Sequence, residues 1–162
     1  MPSTYTLISS NVLTSDTASV TFSAIPSTYT DLVFRFSVRS TWALQFIATF
    51  VQFNGSGAAN YSDTNLQGNG SAAASNRATG NGYLRIGNEP GSSATSNTFS
   101  SHELYIPNYT SSQNKVASCF SIAEDNSSTA YVHANALLWR VTDAINSITI
   151  SDDAGSFPPT RS

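Results

Sequence analysis

The clearest pattern in the chain is an alternation of apolar and polar side chains over residues 32–39, Leu-Val-Phe-Arg-Phe-Ser-Val-Arg. Successive side chains of an extended strand point to opposite faces. One face of this segment is therefore apolar, whereas the other carries Arg35, Ser37 and Arg39, and we expect that second face to meet water or a partner. The pattern predicts a strand with one buried face, whose inward side chains are Leu32, Phe34, Phe36 and Val38.

Similar short runs recur along the chain between turn residues. Residues 129–141 would also tolerate a helix, but the alternation from Tyr131 to Val141 favours a strand. Val, Ile, Phe, Tyr and Thr favour strands, whereas Gly, Pro and Asn interrupt them. We therefore predict strands over residues 4–8, 19–23, 32–39, 46–53, 82–87, 101–106, 115–123, 129–141 and 145–150.

Nine or ten short antiparallel strands without helix caps, heptads or repeats predict an all-β fold. The expected architecture is an antiparallel β-sandwich of jelly-roll type, formed by residues 1–162 as a single domain. One stretch does not fit this pattern, because residues 54–82 are rich in Gly, Ser, Ala and Asn. We expect a loop or arm there, in which Tyr61 to Gln67 forms a weak strand or lies on another subunit; disorder is the alternative.

Residues 46–53, Phe-Ile-Ala-Thr-Phe-Val-Gln-Phe, carry large apolar side chains on both faces of the predicted strand. Such a strand is either central in a sandwich or covered by a neighbouring subunit. Leaving several of these side chains in water would be costly and would promote aggregation. The pattern therefore predicts a homo-oligomer.

Composition narrows the possible partners. Charged residues make up 10% of the chain and its net charge is −3, so no basic patch for nucleic acid is expected. No apolar run is long enough to span a membrane, and no secretory leader follows Met1. The single Cys119 excludes an intrachain disulfide framework, and we interpret it as a small core residue.

The residues that could support catalysis do not form a recognisable motif. His102 and His133 are the only histidines, and they show no metal-ligand spacing. Glu124 to Asn126 and Asp152-Asp153 could ligate calcium, but they lack the spacing of a calcium loop and are interpreted as turns. We predict no catalytic residues, no metal and no cofactor, and hence no enzyme. The carboxylates that could in principle be paired for glycoside hydrolysis are Asp63, Glu103, Asp125 and Asp143.

Surface contacts with a partner or a glycan are a separate possibility. Trp42 follows a predicted strand end, where its ring either caps the core or stacks on a sugar. The candidate contact residues are Trp42, Tyr61, Tyr109, Arg35 and Arg39.

Several segments have a distinctive sequence: Thr-Tyr-Thr-Leu-Ile at 4–8, Ala-Ser-Val-Thr-Phe at 18–22, Ile-Pro-Ser-Thr-Tyr-Thr-Asp-Leu-Val at 25–33, Asn-Tyr-Ser at 60–62, Leu-Gln-Gly-Asn-Gly-Ser at 66–71, Leu-Tyr-Ile-Pro-Asn-Tyr at 104–109, Asn-Lys at 114–115 and Ile-Asn-Ser-Ile-Thr-Ile at 145–150. Together they resemble a family of small β-rich virion proteins of tailed bacteriophages, notably those that infect cyanobacteria and other aquatic bacteria. Related sequences continue after a Gly-Ser-Phe element into a final apolar strand. Here Phe157 is followed by Pro158-Pro159, so we expect an open sheet edge that a neighbouring subunit covers.

The resemblance implies a structural protein that is made in the host bacterial cytoplasm and resides in the virion. One expectation is a capsid decoration (cement) protein that binds the major capsid protein as a homotrimer and stabilises the head. The alternative is a tail-fibre or spike module that binds a host surface glycan or receptor.

Overall fold

The computed structural model describes residues 5–159, which form β-strands joined by turns and loops. No helix in this part of the chain is long and apolar enough to cross a membrane. The strands are β1 (Ser19–Phe22), β2 (Leu32–Phe36), β3 (Phe46–Phe53), β4 (Tyr61–Gly68), β5 (Ala73–Asn81), β6 (Leu84–Pro90), β7 (Ser101–Ile106), β8 (Lys115–Ala123), β9 (Tyr131–Trp139) and β10 (Ile148–Asp152).

The strands form two antiparallel sheets that pack face to face. The smaller sheet has the order β1-β10-β3-β6 and the larger one β2-β7-β8-β9-β4-β5. Without β8 and β9, eight strands remain in two four-stranded sheets, and the chain passes repeatedly between them as in a jelly roll. The predicted sandwich is thus confirmed, and the β8–β9 hairpin is an insertion in the middle of the larger sheet.

Several strand predictions are confirmed closely. The bounds of β3, β7 and β8 match the predicted ranges, and β9 is a strand rather than a helix. In β2 the predicted apolar face is the inner one, with Leu32 buried and Phe34 and Phe36 partly buried against the core. The Asn54-Gly55 turn after β3 has positive φ at both residues, 53° and 62°, as this dipeptide favours.

The predicted loop at residues 54–82 is wrong. Most of this stretch is a hairpin of two long strands, β4 and β5, and β4 is central because it also pairs with β9. The suggestion of a strand from Tyr61 to Gln67 is confirmed. Backbone pairing sustains β5, because this strand lies at the sheet edge and buries almost none of its side chains.

The predicted strand at residues 4–8 is also wrong for its described part. Residues 5–8 have no regular structure and all are exposed, while residue 4 lies outside the described range. The chain first joins the sandwich near Leu13, which packs against the core, and at Thr17, which exchanges two backbone hydrogen bonds with Phe157.

The two apolar faces of β3 are both covered, at least in part, within one chain. Its inner face is buried in the sandwich, and half-buried and buried positions alternate along the strand. On its outer face, Phe46 contacts the ring of Tyr131 and Phe50 that of Tyr83, with ring centres 5.2 Å and 4.2 Å apart. This strand therefore gives no reason to require a covering subunit, and the prediction of a homo-oligomer loses that argument.

One end of the core is built from large aromatic side chains. Trp139 lies 5.5 Å from Phe53 and 6.2 Å from Tyr61 between ring centres, and all three are buried. The hydroxyl of Tyr61 accepts a hydrogen bond from the backbone N–H of Phe53 at 2.9 Å. Burial is the main cause that raises the pKa of Tyr61.

The Lys115 side chain at the start of β8 is buried and fastens two loops. Its ammonium group donates to the carbonyls of Ser111 at 2.7 Å, Gln113 at 2.5 Å and Thr142 at 3.3 Å. A Lys115→Met substitution would leave these carbonyls without their donor, at an expected cost of roughly 2–4 kcal/mol. Urea unfolding measures this loss. An equal loss from Arg77→Met, on the exposed strand β5, would contradict the explanation.

Candidate functional site

The outer face of the inserted β8–β9 hairpin is the most unusual surface of the protein. Along β8 the side chains alternate between buried and exposed, and the exposed set includes Val116, Phe120 and Ile122. Phe120 is 56% exposed although it lies on a central strand. Val132 on β9 and Leu66 on β4 extend the same exposed face.

Strand register places these side chains next to one another. Ile122 pairs with Val132, and Phe120 pairs with Ala134, which in turn pairs with Leu66. With strands about 4.8 Å apart and about 3.4 Å per residue, the face over β8, β9 and β4 measures roughly 15 by 30 Å. Monomeric soluble proteins rarely expose contiguous apolar patches larger than a few hundred Å², and larger ones mark interaction sites. We call this surface the hairpin face.

The inner side of the same hairpin explains why the apolar row points outward. There β8 presents small side chains, among them Ala117, Cys119 and Ser121. Strand β6 approaches so closely that a Cβ on Gly87 would lie 1.9 Å from the hydroxyl oxygen of Ser121. A phenylalanine at this inner position would not fit, so the larger side chains are left on the outside.

The two arginines among the predicted contact residues are held within the chain. Arg35 forms an exposed ion pair with Glu103, with 2.6 Å between Nε and Oε2. Arg39 donates to the carbonyls of Ala94, Thr95 and Thr98 at 2.7–3.1 Å. Arg39 therefore anchors the loop before β7, whereas Arg35 remains at the surface.

Two of the three aromatic contact candidates are wrong. Tyr61 and Tyr109 are completely buried, so neither ring can stack on a glycan at the surface. The hydroxyl of Tyr109 donates to the carbonyl of Pro26, which fixes the turn before β2. Trp42 is 44% exposed in the loop before β3, beside the equally exposed Leu44, and stays a candidate.

A polar row lies inside the sandwich where the sequence suggested only isolated residues. His102, Ser121 and His133 are neighbours on β7, β8 and β9 and all face inward. Burial lowers the pKa of His102 to about 3 and that of His133 to about 4, so both imidazoles are neutral near pH 7. With exposures of 2% or less, these groups cannot reach a substrate in the folded protein.

Three of the four carboxylates considered for glycoside hydrolysis lie in different surroundings. Asp63 faces the interior from β4, and burial raises its pKa, whereas Glu103 lies on the outer surface with Arg35. Asp125 accepts a hydrogen bond from the backbone N–H of Ser127 and organises a turn. Within residues 5–159, no three His, Cys, Asp or Glu side chains group so as to hold a metal ion.

A cleft of about 860 Å³ opens on one side of the sandwich between the edge strands β1 and β2. Its inner wall is aromatic, and the ring centre of Phe34 lies 5.1 Å from those of both Phe22 and Phe36. Residues 5–11 line its mouth.

No known protein family, characterised protein or solved structure matches the chain, and its function has to be inferred from its own residues.

Proposed function

We propose that this protein is a non-enzymatic structural component of a tailed-bacteriophage virion. Its proposed role is that of a capsid decoration protein that binds the major capsid protein and assembles as a homotrimer. The hairpin face is the surface through which it binds the other virion protein.

The exposed apolar row of the hairpin face is the observation that carries this proposal. Fully burying a Phe, Val or Ile side chain contributes roughly 1.5–3 kcal/mol, so a partner that covers Phe120, Ile122 and Val132 would gain much binding energy. Such a flat surface suits another folded protein better than a small molecule, which binds in concave sites. The sequence resemblance to phage virion proteins indicates what kind of partner this is.

Particle imaging tests the virion role. Purified phage particles would be examined by cryo-electron microscopy, and density of this sandwich on the capsid shell is expected. Density confined to the tail would replace the decoration role with the tail-fibre role, and particles without this protein would overturn the proposal.

Phe120→Asp is expected to abolish binding to the particle, since it places a charge in the centre of the hairpin face. Losing the Phe120 ring, which the partner would bury, would by itself weaken binding roughly tenfold to hundredfold. The matched control is Ser75→Asp, because Ser75 lies in the same row across the sheet but on the edge strand β5. Co-sedimentation with particles that lack the protein measures both variants, and equal binding by the two would contradict this use of the hairpin face.

A tail-associated glycan-binding module is the second candidate, favoured by the exposed ring of Trp42. The neighbouring Gln45 amide donates to Asp125 at 3.3 Å, so polar groups that could orient a sugar lie close by. Binding of host surface polysaccharide that Trp42→Ala removes and Phe120→Asp leaves unchanged would favour this candidate over the decoration role.

A further inference from the structure

The two sheets are left open along one side of the sandwich. Within the described residues, β1 pairs only with β10 and β2 only with β7, so each strand has one free edge. A free strand edge exposes unpaired backbone groups that readily accept another strand. The aromatic cleft described above lies between these two edges.

Residues 6–11 line this cleft, and Val12 follows them in the chain. Leu7 is 79% exposed and Val12 57%, although each would be stabilised by burial. The residues around Leu7 have the composition of a strand, yet in the described structure no backbone hydrogen bond joins residues 6–12 to β2. One chain therefore contains both a strand-like segment outside any sheet and a sheet edge that lacks a strand.

The position of Leu13 explains why the segment does not close its own cleft. Leu13 packs against the core and fixes the end of the segment. From there the chain runs across the mouth of the cleft, and the ring of Tyr5 lies under the guanidinium group of Arg35 with 5.7 Å between them. Along this path Leu7 stays outside. The same segment of another molecule is fixed at that molecule's own Leu13, so it can approach β2 along a different path.

We propose that residues 5–9 of one copy add a strand to the free edge of β2 in a second copy, with Leu7 inserted into the cleft beside Phe34 and Phe36. The segment and β2 are both five residues long. Residues 5–13 contain no charged side chain, so their insertion buries no charge. Exchange of an identical element between copies is a low-cost route to self-association. This inference does not depend on the virion role.

A pair of charge substitutions tests the exchange by sedimentation equilibrium. Leu7→Asp places a carboxylate in the cleft and is expected to raise the dissociation constant of the oligomer roughly tenfold or more. Thr6→Asp introduces the same charge on the opposite face of the added strand, and its effect is expected to stay within about twofold. Circular dichroism checks that both variants remain folded.

Two results would overturn the exchange. One is a wild-type protein that is monomeric at micromolar concentrations. The other is an oligomer that Phe120→Asp dissociates and Leu7→Asp does not, since self-association would then occur through the hairpin face. Failure of the wild-type protein to bind the particle, with the oligomer intact, would instead count against the proposed function alone.

Cross-linking distinguishes exchange between copies from closure within one chain. Two preparations with different tags, one carrying Leu7→Cys and the other Ser37→Cys at the rim of the cleft, are mixed and treated with a short bis-maleimide. The native Cys119 is buried and its pKa is raised to about 12, so it does not react. A covalent heterodimer is expected. A single chain that carries both Leu7→Cys and Ser37→Cys serves as the comparison. An intrachain product from this double variant, without any heterodimer from the mixture, would overturn the exchange.

Discussion

Between pH 7 and pH 5 the wild-type protein is expected to lose about 2 kcal/mol more of its free energy of unfolding than a His102→Leu variant. His102 is buried and its pKa in the folded state is about 3, compared with 6.5 in an exposed imidazole. As the pH falls below 6.5, the unfolded chain takes up a proton that the folded chain cannot accept. The stabilisation is therefore complete above pH 6.5 and is lost progressively towards pH 3.

The comparison with His102→Leu removes this one group together with its Coulombic interaction with His133, while every other titrating residue is present in both proteins. Urea unfolding at a series of pH values gives the two stability curves. Phe36→Leu is the matched control, since it changes the ring stacked 4.5 Å from His102 without removing a titratable group. Its stability difference from wild type is expected to stay constant with pH. Parallel curves for wild type and His102→Leu would show that His102 is not kept neutral by burial.

Gly87→Ala is expected to destabilise the protein by roughly 3–5 kcal/mol, from backbone strain and steric overlap together. Gly87 has a φ of 146° in β6, opposite the irregularity in its pairing with β3. A Cβ there would lie 1.9 Å from the Ser121 hydroxyl and 2.9 Å from the Ser121 Cβ. The neighbour is part of a central strand and cannot move away.

A double variant separates the two causes. Ser121→Gly removes the overlapping atoms, so the Gly87→Ala/Ser121→Gly protein should recover the steric part of the loss and retain the strain. Gly57→Ala is the control, because its added Cβ would meet only the flexible end of Gln52 at 3.7 Å. Thermal or urea unfolding measures the series. A loss below about 1 kcal/mol for Gly87→Ala would show that β6 can shift away from β8.

Among the candidate surface residues, the sequence predicted exposure correctly where it follows from local position. The prediction was wrong where packing against distant segments buries the side chain. Trp42 lies in a short loop and stays exposed, as a residue between two strands can. Tyr61 looked like an anchor in a polar loop, but its strand is sandwiched between β5 and β9, and its hydroxyl bonds to β3. Strand β9, which places Trp139 opposite Tyr61, lies far away in sequence and leaves no local signal.

The sequence indicated which residues of β8 share the hairpin face but not that this face is exposed. The period of two showed that Val116, Phe120 and Ile122 share one side of a strand, but it could not show which side faces the core. That depends on the close approach of β6, where Gly87 lies against Ser121 and leaves room only for small side chains. The low apolar content of residues 54–82 was similarly misleading, because β4 and β5 are held by backbone pairing in the sheet.

The sequence by itself determined the all-β class, most strand positions and the inner face of β2, because these follow from side-chain alternation and turn residues within a few positions. Tertiary structure decided which face of β8 is exposed, that His102, Ser121 and His133 form one buried row, and that residues 5–12 remain outside the sheets. Each of these depends on the pairing or packing of segments far apart in the chain, which no local pattern encodes.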